Sequence, residues 1–130
     1  MNTININTYN RNNNARVIRK GMVLNIDVPY QPTNPHQHHG RHYYVVVSND
    51  DACRYSPVLQ VVPFSHITNR RLPCQKDITT RCLPKTSCVL AEQLTLMSRE
   101  TLNSGRVCGI LEDDQFELVQ EAVKIQLAIA

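Results

Sequence analysis

The chain has 130 residues, 42% of them hydrophobic, and 14 Lys/Arg against 11 Asp/Glu give a net charge of +3 at neutral pH. That length and apolar content suit one domain with its own core, and the absence of any apolar run long enough to span a bilayer argues against a membrane protein. The Asn-rich start lacks the basic-then-apolar order of a signal peptide, so a soluble cytosolic protein is expected.

Charge and cysteine usage narrow the partners. Residues 1–90 carry 11 Lys/Arg against 4 Asp/Glu, whereas residues 91–130 carry 3 against 7. A basic front half attracts a polyanion or an acidic peptide, and an acidic C-terminal segment confines that attraction to one face; ordinary solvated surface charge is the other reading. Cys53, Cys74, Cys82, Cys88 and Cys108 form no C-x-x-C pair, so neither a disulfide framework nor a usual zinc spacing is indicated. They are expected to be free thiols, mostly buried.

Seven of the first fourteen residues are Asn, which leaves too little apolar area to offset ordering entropy, so 1–15 is expected to be a disordered tail and 16–130 a single domain. After Gly21, Leu24, Ile26 and Val28 alternate with other residues and predict a strand that ends at Pro29. Gln31 to Gly40, with two prolines and three histidines, is a loop. Tyr43 to Val47 is an unbroken β-branched and aromatic run, fitting a strand buried on both faces, and Asn49-Asp50-Asp51 reads as the turn that closes it. Val58 to Phe64 is a further strand, with Pro57 and Pro63 near its ends.

Gln75 to Thr79 predicts a short strand, Ser87 to Leu96 a longer one and Arg106 to Leu111 a last one, separated by Pro or Gly signals. Ser98 is placed to cap a helical turn through Leu102, stopped near Gly105. Glu112, Asp113 and Asp114 favour the start of a C-terminal helix, where negative side chains complement unpaired N–H groups. Along it Leu118, Ala122, Ile125 and Ile129 fall at helical spacing, as do Phe116, Val119 and Val123, giving a broad apolar face. Several short strands followed by one amphipathic helix predict a mainly β protein, a small, strongly bent barrel with a helix packed against it. Internal repeats and glycine-rich phosphate loops are absent from the sequence.

The richest concentration of donors and titratable groups is Pro35-His36-Gln37-His38-His39-Gly40-Arg41-His42. Arg offers a fixed fork for phosphate oxygens, and His titrates near neutrality and serves as base or acid. Two other readings stand beside a phosphate-handling site: a solvated loop with incidental histidines, and metal binding by His36, His38 and His39.

Six segments resemble, in order, the MazF/PemK/Kid family of toxin endoribonucleases. Arg19-Lys20-Gly21-Met22-Val23 is similar to the family's Lys-Arg-Gly-(Asp/Glu)-Val start. Val45-Val46-Val47-Ser48-Asn49-Asp50 is similar to its apolar strand ending in Asn-Asp. Tyr55-Ser56-Pro57 through Val61-Val62-Pro63-Phe64-Ser65, then Leu72-Pro73, Ser87 through Glu92-Gln93, and Leu111-Glu112-Asp113 match the rest, so the resemblance spans Arg19 to Ala130. It implies a small SH3-like barrel of the CcdB/PemK type, a homodimer, and a MazE-type antitoxin whose disordered part blocks the RNA groove. It also implies the toxin of a type II toxin–antitoxin system, a sequence-specific endoribonuclease that cuts single-stranded RNA without a metal or other cofactor and leaves 2′,3′-cyclic phosphate and 5′-hydroxyl ends. The alternative class is a non-catalytic toxin like the gyrase-binding CcdB relatives, or a member that has lost activity and only binds antitoxin.

The catalytic positions carry over with one ambiguity. Counting back from Asn49, the family's catalytic arginine falls on His42, while the nearby arginine is Arg41. Because neighbouring strand residues point to opposite faces, the two registers differ physically. The wish for a permanent cation on phosphate favours Arg41, with His42 assisting proton transfer. Ser65 aligns with the hydroxyl residue that contacts the scissile phosphate; its plainer reading is a strand-terminal serine bonding local backbone. Gln37 and His38 in the loop, and Arg70 and Arg71 before Leu72-Pro73, are candidate RNA contacts, with ordinary solvation as the alternative for the two arginines. The loop departs from the family's Glu-Gln, and Leu94-Thr95-Leu96-Met97 from its Ile-Arg-Thr-Ile. Glu92 and Gln93 read as a buried polar pair that organises the barrel, with a functional role as the alternative.

Overall fold

The computed structural model describes residues 16–36, 39–68 and 72–129. The expected tail, 1–15, lies outside them, as do the candidate RNA contacts Gln37, His38, Arg70 and Arg71. In chain order the elements are β1 (Met22–Val28), β2 (Gly40–Val46), α1 (Asp50–Tyr55), β3 (Val58–Ser65), β4 (Gln75–Ile78), β5 (Ser87–Leu90), a 3-10 turn (Ala91–Gln93), β6 (Thr95–Ser98), α2 (Arg99–Asn103), β7 (Arg106–Ile110) and α3 (Asp113–Leu127).

The strands pair antiparallel in the order β4-β5-β3-β2-β1-β7, with β6 added on β3. The long strand β3 therefore serves three neighbours: its start lies against β6, its middle against β2 and its end against β5. Since β4 and β7 end the path, the expected barrel is a bent, barrel-like sheet left open along one seam. The start of α3 crosses that seam, where Gln115 Nε2 donates to the Thr79 carbonyl at 3.3 Å.

Both faces of the sheet are covered, which is why Tyr43 to Val47 reads as continuous apolar sequence. On one side Val23, Val45, Val62, Phe64 and Val89 pack beneath Phe116, Val119 and Ala122 of α3. On the other, Leu24, Ile26, Tyr44, Val46, Leu59 and Val61 pack with Ile18, Cys53, Met97 and Leu102. Each fully buried aliphatic or aromatic side chain contributes roughly 1.5–3 kcal/mol of transfer free energy, so strands that fill two cores at once hold the fold together.

Three sequence expectations are corrected. Asn49-Asp50-Asp51 opens the helix α1 instead of a turn: the Ala52 N–H donates to Asn49 Oδ1 at 2.9 Å, and Asp50 and Asp51 occupy the first helical turn. Arg99 secures the far end of α1, its guanidinium donating to the carbonyls of Ala52, Cys53 and Ser56. The long strand expected over Ser87–Leu96 is broken by the 3-10 turn. Along β3, Ser65 faces Cys88 and Val61 faces Thr95, so four steps on one strand are matched by seven on the other. The turn absorbs the excess, and the sheet bends there. Finally, the buried stripe of α3 is Phe116, Val119 and Ala122, while Leu118, Ile125 and Ile129 are exposed, so its apolar face is narrower than the spacing predicts. Its start carries a capping box between Glu112 and Gln115, and Ala128 ends it in the left-handed conformation.

Candidate functional site

The positions of Arg41, His42 and Ser65 follow from the way β2 and β3 part. Their pairing runs Val46↔Val61, Val45↔Val62, Tyr44↔Pro63, and ends there. Pro63 has no N–H to offer a ladder, and beyond it β3 turns to pair Phe64 with Val89 and Ser65 with Cys88, whereas β2 stays beside β1 down to Gly40. The strands thus form a fork. Gly40 opens β2 with φ +82°, in the region that favours glycine, and so turns the chain from the loop into the strand.

Two residues out from Tyr44↔Pro63, one on each prong, are His42 and Ser65. Side chains alternate along a strand, so both share the face of Tyr44 and Pro63, and Arg41 belongs to the opposite face, with Asp27 as its cross-strand partner on β1. Arg41 is exposed, His42 half-buried and Ser65 buried. The Ile67 N–H donates to Ser65 Oγ at 3.2 Å, which fixes the serine's rotamer and holds its oxygen at the end of β3.

Burial lowers the His42 pKa from its usual 6.5; a backbone hydrogen bond at His39 works against this, and the nearby His39 and His66 imidazoles add to the lowering. Near neutral pH His42 is therefore mainly the neutral imidazole, the form that accepts a proton. His39 is held edge-on against Tyr30, with ring centroids 4.9 Å apart. His66, exposed and close enough to His42 to influence its charge, is a neighbour that the sequence alone does not single out. The available signal was its place directly after Ser65, which carries a titratable ring around the tip of β3 toward His42.

Of the metal reading, His38 lies outside the described residues. Among the described residues, no group of three or more His, Cys, Asp or Glu side chains is disposed to hold a metal ion. Glu92 acts structurally: its carboxylate accepts from Gln75 Nε2 at 2.7 Å and from Cys74 Sγ at 3.7 Å, and Gln75 Oε1 accepts from the Leu72 N–H at 3.0 Å. This chain of bonds ties the 3-10 turn to the start of β4. Gln93 lies instead beside Tyr44 in a cavity of about 280 Å³. Among the described residues no helix is long and apolar enough to cross a membrane.

Residues 19–127 match the family model of the PemK-like, MazF-like toxins of type II toxin–antitoxin systems, and the chain belongs to that family. Solved structures agree in fold. An endoribonuclease in complex with its cognate antitoxin from a mycobacterial species superposes with a TM-score of 0.70 at 18% identity, covering 87% of this chain and 97% of that one. MazF from Deinococcus radiodurans superposes with a TM-score of 0.69 at 16% identity, covering 87% and 98%. The MazE–MazF complex of the same organism gives 0.66 at 15% identity, covering 88% and 99%. No curated protein matches the sequence significantly.

Proposed function

We infer that this protein is the endoribonuclease toxin of a type II toxin–antitoxin pair, acting in the cytoplasm on single-stranded RNA at the fork between β2 and β3. The observation that carries the reading is the fork itself: a mainly neutral imidazole, His42, and the Ser65 hydroxyl share one face where two paired strands diverge. Family membership supplies the context in which that pair makes chemical sense.

In this mechanism His42 takes the proton of a ribose 2′-hydroxyl as its oxygen attacks the adjacent phosphorus. The O2′–P bond forms, the P–O5′ bond breaks, and His66, exposed directly after Ser65, serves as the acid toward the leaving 5′-oxygen. Ser65 positions a phosphoryl oxygen. Arg41, exposed on the opposite face of β2, brings a permanent cation that attracts the RNA backbone to the strand end. The products carry a 2′,3′-cyclic phosphate and a 5′-hydroxyl. No step calls for a metal or other cofactor. Gln37, His38, Arg70 and Arg71 serve as contacts to the flanking RNA and shape its sequence preference.

A second copy of this chain and a MazE-type antitoxin are the protein partners in this reading. Supporting surface is present in the exposed Leu118 and Ile125 of α3, and in a cleft of about 270 Å³ lined by Val47, Leu94, Val123 and Leu127. The test is incubation of the purified protein with a long RNA in EDTA, followed by mapping of the ends. Cuts at a short recurring motif with cyclic phosphate and 5′-hydroxyl termini are expected. Intact RNA overturns the reading and leaves the non-catalytic alternatives, and 5′-phosphate ends overturn the 2′-hydroxyl mechanism.

A further inference from the structure

The seam between β4 and β7 holds two cysteines for which the RNA chemistry has no use. Cys82 lies in the connection from β4 to β5, and Cys108 lies on β7, so one thiol stands on each side of the opening in the sheet. Three features bring them together. Pairing of β7 with β1 runs Val23↔Gly109 and then Leu24↔Val107, which makes Cys108 the extra residue of a β-bulge, an irregularity that re-aims a side chain. At the next position a Cβ on Gly109 would stand 2.9 Å from Cys82 Sγ, and the φ there is +139°, so glycine leaves the room that the Cys82 thiol occupies against β7. Both cysteines also line one cleft of about 500 Å³, beside Thr80, Arg81, Glu112 and Gln115. They are half-buried, in contrast to the buried Cys53, Cys74 and Cys88.

We propose that Cys82 and Cys108 form a modification site: a dithiol that a low-molecular-weight disulfide of the oxidised-glutathione class converts to an intramolecular disulfide, latching the open seam of the sheet. The cleft admits the oxidant to the half-buried pair. One thiolate attacks a sulfur of the oxidant and expels a thiolate, and the second then attacks the mixed disulfide and expels the other. Two thiols of the protein are oxidised, two small thiols are released, and the two protons end on them. Burial pushes the Cys108 thiol up, so the reaction quickens as pH rises above neutrality. The bridge joins the segment before β5 to the edge strand β7. Those are the two margins that the α3 start otherwise holds through the Gln115 hydrogen bond to Thr79. This site is independent of the RNA-cutting reading.

The experiment uses the full chain, first reduced, then incubated with oxidised glutathione, digested and analysed by mass spectrometry alongside thermal melting. Expected are a Cys82–Cys108 cross-linked peptide lighter by two hydrogens, a melting temperature raised by roughly 10 °C through the closed loop, and reversal of both by dithiothreitol. Cys82→Ser and Cys108→Ser should each lose the cross-link and the thermal shift, and retain a glutathione adduct on the remaining cysteine of the pair. Adducts on both cysteines of the wild type without a cross-link overturn the proposal. So does a cross-link to Cys53, Cys74 or Cys88, or a wild type that stays fully reduced.

Discussion

The helix-covered face of the sheet and the fork between β2 and β3 use the same strands under opposite conditions. Under α3, Val45 and Val62 are paired in the ladder and sealed by Phe116 and Val119, and the polar groups at the margin find partners in Glu92, Gln75 and Gln115. A few residues along, past Pro63, the ladder stops and the positions facing each other are a half-buried histidine and a serine, with Arg41 and His66 exposed beside them. Where strands pair, a side chain serves packing; where they separate, the same alternation presents side chains to a ligand. Substitutions should therefore divide between those that cost folding and those that cost chemistry.

The largest expected effect is at the fork. His42→Ala should lower RNA cleavage by about a thousandfold, the usual scale of a lost general base, while the thermal melt stays within a degree or two of wild type. A cleavage rate near wild type would assign the catalytic position to the neighbouring Arg41. On the covered face, Phe116→Ala should cost about 3–4 kcal/mol in urea unfolding, as expected when a buried aromatic is truncated. Folding losses of that size from His42→Ala would erase the division. Arg41→Ala should cut cleavage by roughly tenfold through weaker hold on the RNA backbone, with stability unchanged and weaker dependence of RNA binding on salt. Asn49→Ala, remote from both regions, should cost about 1 kcal/mol by removing the cap of α1 and leave cleavage of folded protein intact.

The pH dependence sharpens the comparison least in size but most in assignment. His42 in the folded protein titrates below 6.5, whereas in the unfolded chain it returns to that value. As pH falls below 6.5 the unfolded chain takes up a proton that the folded one lacks. The contribution of His42 to stability is thus present above 6.5 and lost as pH drops through its lowered value. The acid limb of cleavage should lie below pH 6.5 for the same reason. In His42→Asn, both that limb and this part of the stability change should disappear, which rate profiles and urea melts at a series of pH values would show.

What was legible in the chain follows the range of the forces involved. The strand ending before Pro29, the serine cap at Ser98 with its helix through Leu102, and the acidic start of α3 are set by residues within a turn of one another, and each is found where expected. Val45 and Val46 announce a strand with a core on each side because nothing else tolerates so continuous an apolar run. The side chain of Asn49 suits a turn or a cap equally, and the choice depends on whether the following segment packs; here Cys53 is buried against the core. The outward placement of Leu118 and Ile125 depends likewise on how much of α3 the sheet is wide enough to cover.

The site divides in the same way. Ser65 at the tip of a proline-marked strand and a basic, histidine-rich loop before β2 stand out in the sequence, and the ordered motifs from Arg19 onward point to the toxin family to which the chain belongs. Whether His42 or Arg41 shares a face with Ser65 is beyond composition or spacing, because it depends on where Pro63 ends the ladder and β3 leaves β2 for β5. The approach of His66 to His42, the three-residue turn that breaks the strand before Thr95, and the bulge at Cys108 have the same origin. Each arises from pairing between segments far apart in the chain, whose register is chosen by burial of the whole sheet and not by neighbouring residues.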